Sequence, residues 1–152
     1  MRQQPVAKDL RTISTALKMV TDMERIGDAA TDISEITMRI GVEGAAWSMA
    51  EHIPDMARKA TAMVNDAVLA FVQGDVAFAK EVIERDDEVD ELFNRVKGEL
   101  AELIRSDTKE IDSAIDVLFV AKYLERVGDH AVNICEWVEF HETGELKNTK
   151  LL

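Results

Sequence analysis

An eight-residue segment occurs twice in this chain, and both copies fall inside amphipathic, helix-like stretches. Met-Glu-Arg-Ile-Gly-Asp-Ala-Ala at 23–30 returns as Leu-Glu-Arg-Val-Gly-Asp-His-Ala at 124–131, and the match extends outward without a gap over 17–36 and 118–137. Leu17 aligns with Leu118, Glu24 with Glu125, Gly27 with Gly128, Asp28 with Asp129 and Ile33 with Ile134. A duplicated helix ordinarily keeps its apolar pattern and lets its polar residues drift. Here the Glu and Asp persist in both copies, so the carboxylates themselves have a role.

The apolar spacing predicts four helices. The first runs from Val6 to about Ile40, with Pro5 suited to a first turn and Gly41 and Gly44 ending it. The second spans about Met49 to Gln73, on a stripe of Ile53, Met56, Ala57, Ala60, Met63, Val64, Ala67, Val68 and Phe71. Gly74-Asp75 closes it and caps a third helix, Val76 to Arg105, whose Val82, Val89, Phe93, Val96, Leu100 and Leu103 point inward. Ser106 or Asp107 caps a fourth, from about Lys109 to Phe140. Short connections between long helices make neighbours antiparallel, so the expected fold is all-α, an antiparallel four-helix bundle. At 152 residues with 47% hydrophobic content, the chain forms a single domain with a real core. Only 5% of residues are aromatic, so that core is aliphatic and Met-filled.

Three helices carry acids at related positions. In the fourth, Ile111, Ile115, Leu118, Lys122, Glu125 and Asp129 share one side; in the first the same positions are Leu10, Ser14, Leu17, Thr21, Glu24 and Asp28. The third carries Ala79, Ile83, Asp86, Asp90 and Phe93 along one edge. Folding the third and fourth helices back about residues 106–107 leaves Asp86 and Asp129 mismatched in depth by only ~3 Å, and Asp90 and Glu125 likewise. Four carboxylates gathered at one level destabilise a fold unless they are protonated, paired or bridged by a cation. Arg25 and Arg126 point roughly 100° away, and Lys122 has only Thr21 as its counterpart. A bound metal is the more economical answer. All-oxygen ligation suits Mg²⁺, Ca²⁺, Mn²⁺ or oxidised iron, whereas Zn²⁺ prefers more nitrogen or sulfur. Gly27 and Gly128, each costing about 1 kcal/mol mid-helix relative to Ala, imply close approach by a neighbour or a ligand.

The remaining chemistry is sparse. Thirty acidic against 18 basic residues give a formal charge of −12, which disfavours nucleic acid and anionic membrane surfaces. The single Cys135 rules out an internal disulfide and sits on an apolar face as a buried, inert thiol. No apolar run approaches ~20 residues, and no signal segment opens the chain, so membrane insertion is not expected and the cytoplasm is. His52, His130 and His141 show no mutual ligand spacing, and the Glu-x-x-His motif of di-iron oxidases is absent. Trp47, in an interhelical segment, and Trp137, near a helix end, read as packing residues first and as contact anchors second. No phosphate loop, nucleophilic triad or nucleotide fingerprint occurs, and no residue supports direct phosphate binding.

Taken together, Gln-Gln-Pro-Val-Ala-Lys-Asp-Leu-Arg at 3–11, Glu24-Arg-Ile-Gly-Asp28, Glu84-Arg-Asp-Asp-Glu-Val-Asp90 and Glu125-Arg-Val-Gly-Asp129 followed by Asn133-Ile-Cys-Glu136 resemble the PhoU family. The likeness runs from about residue 3 to 140. It implies a cytoplasmic regulator of phosphate uptake, built from two three-helix repeats, that damps the phosphate-starvation response. Its implied partners are a phosphate ABC transporter, which would hold it at the inner membrane, and a sensor histidine kinase. Glu/Asp-x-x-x-Asp motifs bind multinuclear iron clusters in some members, which carries over here to metal ligation by Glu24 and Asp28, Asp86 and Asp90, and Glu125 and Asp129. Against that pattern, 1–41 corresponds to the last helix of a first repeat lacking its first two helices, 49–141 to a complete second repeat, and 142–152 to a flexible tail. The shortened repeat predicts exposed apolar surface, hence a homodimer or a domain cut from a longer chain, with a second subunit completing the Glu24/Asp28 pair. The contrasting expectations are a metal-free helical adaptor whose acids meet basic partners, and, more remotely, a carboxylate-bridged metalloenzyme.

Overall fold

The computed structural model describes residues 4–40 and 45–145. Its helices are α1 (Gln4–Ile40), α2 (Ala45–Met49), α3 (Ile53–Gln73), α4 (Val76–Glu84), α5 (Asp86–Ser106) and α6 (Ile111–Thr143), with a short 3₁₀ turn at Thr108–Glu110 before α6. No strand occurs among the described residues. The expected antiparallel helical bundle is the fold observed, with three local differences.

The expected second helix, from about Met49, begins at Ile53, and a separate short helix, α2, precedes it. The chain leaves helix after Met49 and restarts at Ile53, because Pro54 lacks an N–H and suits only a first turn. Trp47 accordingly lies in α2 rather than in a loop. The expected third helix breaks at Arg85, whose backbone N–H bonds back to Ile83 and Val82 in a tight turn before α5 begins. The fourth starts as the 3₁₀ turn, where Asp107 accepts from the Lys109 amide at 3.0 Å. The turn at 74–75 forms as its residues dictate. Gly74 takes the left-handed conformation (φ 63°), and Asp75 accepts from the Phe78 amide at 2.9 Å. Gly41, Gly44 and residues 146–152 lie outside the described residues; within the expected tail, Glu142 and Thr143 are still helical.

Helix α6 is the axis of the molecule and packs against every other helix. On one side α1 crosses it antiparallel, as the contacts Thr12–His141, Asp22–His130 and Arg39–Asp116 run in opposite order along the two helices. On the other side α5 is antiparallel to α6, with Asp86 beside Gly128 and Phe93 under Lys122. Helix α3 is antiparallel to α5 through Lys59–Glu88 and Arg85–Asp66. The core between them is aliphatic and sulfur-rich: Met56, Met63, Val82, Val89, Val96, Val117 and Ile134 are sealed from solvent. Inward burial along α1 falls on Thr15, Met19, Asp22, Ala29 and Ile36, a 3-4 stripe that meets α6.

Candidate metal centre

Helices α5 and α6 bring together four of the six acids singled out from the sequence. The decisive residue is Gly128, which is buried in α6. A Cβ there would lie 3.1 Å from Asp86 Oδ1, 3.6 Å from Val89 Cγ1 and 3.9 Å from Met63 Sδ. The missing side chain is what lets the first turn of α5 press against α6 with Asp86 pointing into the contact. Asp129, one residue beyond Gly128, is thereby close enough for its charge to act on Asp86, at the level their distances from the 106–107 turn require.

The electrostatics register this crowding. Asp86 is half-buried, and its pKa is pushed up to about 6 by desolvation first, then by the charges of Asp90, Asp129, Asp87 and Glu125. Asp90 is raised by desolvation and then Glu125; Asp129, whose residue surface is exposed, is raised by desolvation, then by Glu125 and Asp90. Lys122 opposes the last two shifts. Its ammonium pairs with Glu125 and lies 5.3 Å from the centre of the Phe93 ring, neutralising one carboxylate of four. Asp86 Oδ1 is sealed from solvent and has no hydrogen-bond partner. An orphaned carboxylate oxygen, a glycine cradle and an all-oxygen donor set have the chemistry a hard or oxidised metal ion takes, while among the described residues no three of these carboxylates bring ligand atoms within 4.8 Å of one another, so an ion would have to draw them in.

The first copy of the motif is placed differently. Glu24 and Asp28 lie on the exposed side of α1, away from the other four, and a Cβ on Gly27 would meet nothing within 4 Å. The close approach expected at both glycines exists only at Gly128. Leu10, Leu17 and Val20 on that side are exposed as well, each by more than half.

Composition alone did not single out Asp22. It is buried on α1, 8% exposed, and accepts from His130 Nδ1 at 2.8 Å and Asn133 Nδ2 at 3.1 Å. Its signal was positional, as the one acid on a stripe of otherwise apolar and small residues. The contact also fixes His130, which turns from the acid cluster toward α1. Cys135 is buried, its thiol pushed up to about 12 chiefly by desolvation, which suits the inert role expected.

The family model for the PhoU domain matches residues 1–37 and 53–138. The chain belongs to the PhoU family. A phosphate-specific transport system accessory protein PhoU homolog of Clostridium acetobutylicum is 39% identical over 145 residues, covering 95% of this chain and 66% of its own length. PhoU homolog 1 of Thermotoga maritima is 38% identical over 149 residues, covering 98% and 63%. This chain thus spans just under two thirds of these relatives. Among solved structures, PhoU from Pseudomonas aeruginosa superposes with a TM-score of 0.81 at 32% identity, covering 93% of this chain and 68% of that one. The phosphate transport system regulatory protein PhoU from Streptococcus pneumoniae gives 0.85 at 25% identity, covering 93% and 67%. These PhoU relatives are named as accessory or regulatory proteins, not as enzymes.

Proposed function

We propose that this chain is a metal-binding regulator of phosphate uptake and of the phosphate-starvation response, acting through protein–protein contacts rather than catalysis. The regulatory role rests on its family and on the names of its relatives. Metal binding rests on one observation: Asp86, Asp90, Glu125 and Asp129 lie near enough for their charges to act on one another, with Asp86 Oδ1 sealed and unpartnered. These four would hold the ion, and an iron cluster or another oxygen-seeking cation would supply positive charge that neutralises the site and locks α5 to α6. The chain's own contribution is to position the carboxylates, through the α5 start and Gly128, and to exclude water from Asp86. Glu24 and Asp28 would form a second site once another helix or subunit covers α1. A cytoplasmic protein docking on a phosphate ABC transporter and a sensor histidine kinase is the setting this reading implies, with pairing through the bare side of α1 as the route to a homodimer. No helix among the described residues is long and apolar enough to cross a membrane.

Metal analysis of protein purified without chelator tests the reading. Stoichiometric metal that falls on Asp86→Ala or Asp129→Ala supports it; negligible metal in the parent refutes it. The salt link of Lys122 to Glu125 favours a second reading, a metal-free adaptor whose acids meet basic partners. In that case partner binding would weaken steeply with salt and be indifferent to chelation.

A further inference from the structure

The turn between α2 and α3 carries a different set of metal-binding groups. Glu51, His52 and Glu99 each offer one ligand atom, and these atoms lie within 4.8 Å of one another. Glu51 is exposed, while the His52 and Glu99 side chains are 26% and 23% exposed. The His52 Nδ1 atom faces a Glu99 carboxylate oxygen. That contact engages Nδ1, whereas the second Glu99 oxygen, Oε2, is sealed from solvent without a hydrogen-bond partner. Buried acceptor atoms are nearly always satisfied, and an orphaned carboxylate oxygen beside an imidazole and a second carboxylate calls for a ligand that accepts its electron pair. The neighbouring bases are engaged elsewhere: Arg58 with Asp55, Lys59 with Glu88 and Arg105 with Glu102. Arg95 feels the field of Glu99 but pairs with Glu91.

We propose that Glu51, His52 and Glu99 form a second metal site, taking a zinc-class transition-metal ion and pinning the α2–α3 turn to α5. One imidazole nitrogen and two carboxylates are a donor set for Zn²⁺ and its first-row neighbours, with a fourth position left for water. Mg²⁺ and Ca²⁺ favour oxygen alone, so this site and the acidic cluster select different ions. The ligands come from sequence positions 47 residues apart, joined only by the antiparallel packing of α3 and α5. Ala50 and Ile53, which flank Glu51 and His52, line an apolar cavity of about 320 Å³ with Thr37, Trp47 and Pro54. Fixing the turn would also fix one wall of that cavity.

The test uses the chain with Asp86→Asn and Asp129→Asn, stripped with chelator, so that the acidic cluster does not compete. Calorimetric titration with zinc ion alone is expected to show one saturable site. His52→Gln or Glu99→Gln, with circular dichroism unchanged, is expected to weaken it at least ~10-fold. In the parent, the His52 ring proton resonances are expected to move on zinc addition. No saturable binding, isotherms unaltered by either substitution, or unmoved His52 resonances would overturn the proposal. Because this site stands apart from the acidic cluster, its failure leaves the function proposed above untouched.

Discussion

Gly27 and Gly128 occupy equivalent positions in the two copies and have opposite surroundings, which makes them a controlled pair. Gly27 sits in an exposed helix interior with open space where a methyl would go. Gly27→Ala should therefore stabilise the chain by about 1 kcal/mol, or ~2–4 °C in Tm by calorimetry. Gly128→Ala gains the same propensity but puts a methyl 3.1 Å from Asp86 Oδ1. It should leave Tm nearly unchanged and weaken metal binding, seen as reduced bound metal. Asp86 carries the pH dependence. Its folded pKa, about 6, lies above the ordinary 3.8, so the folded state keeps its proton longer than the unfolded one. Stability of the metal-free protein should fall as pH rises from about 4 through about 6 and level off above. Asp90 and Asp129, also raised, act in the same direction. Asp86→Asn should flatten that slope to the part Asp90 and Asp129 carry, stabilise the metal-free chain at neutral pH by about 1–2 kcal/mol, and abolish metal binding. These acids were visible in the sequence because helical spacing fixes both their side and their depth. The His52–Glu99 contact was not, since only packing joins positions so far apart.

The break at Arg85 shows why element boundaries were harder to foresee. Glu84, Arg85 and Asp86 are ordinary helix residues, with no Gly or Pro to mark an end. The available sign was the acidic run Asp86, Asp87 and Glu88, which forms the first turn of α5. Restarting the helix there gives these acids free backbone amides and the positive end of the helix dipole, partly offsetting their repulsion. Arg85 is held at the junction by Asp66 from α3 and lies 5.9 Å from the Phe78 ring. Asp66→Ala should loosen this junction, at a cost of about 1 kcal/mol for so exposed a pair. The amides of 83–88 should then exchange faster with deuterium, a readout distinct from global unfolding. The other misplaced boundary, at residues 50–52, had a plain marker in Pro54, outweighed by the regular apolar stripe around it.

At the scale of the whole molecule, the duplication and its 3-4 spacing foretold the helical bundle, and the two faces of α1 explain its asymmetry. The 101-residue shift places Ile13, Val20 and Met23 over Ala114, Ala121 and Leu124, which are buried in α6 at 1%, 0% and 7% exposure. On α1 the same positions are 57%, 63% and 49% exposed. The side of α6 that is covered by its neighbours is thus bare on α1, and Glu24 and Asp28 lie on that bare side. A stripe of this kind rarely stays open to water. Sedimentation should show self-association of the 152-residue chain, reduced to monomer by Leu17→Glu with the helical content retained. A monomer at all concentrations would assign the stripe no role in self-pairing. The central claim, that Asp86, Asp90, Glu125 and Asp129 share a cation, is tested most directly by anomalous diffraction from crystals grown without chelator. The account predicts a strong metal peak between these four carboxylates, absent in Asp86→Asn. Anomalous density elsewhere only, or none, with the four side chains turned separately to solvent, would contradict it.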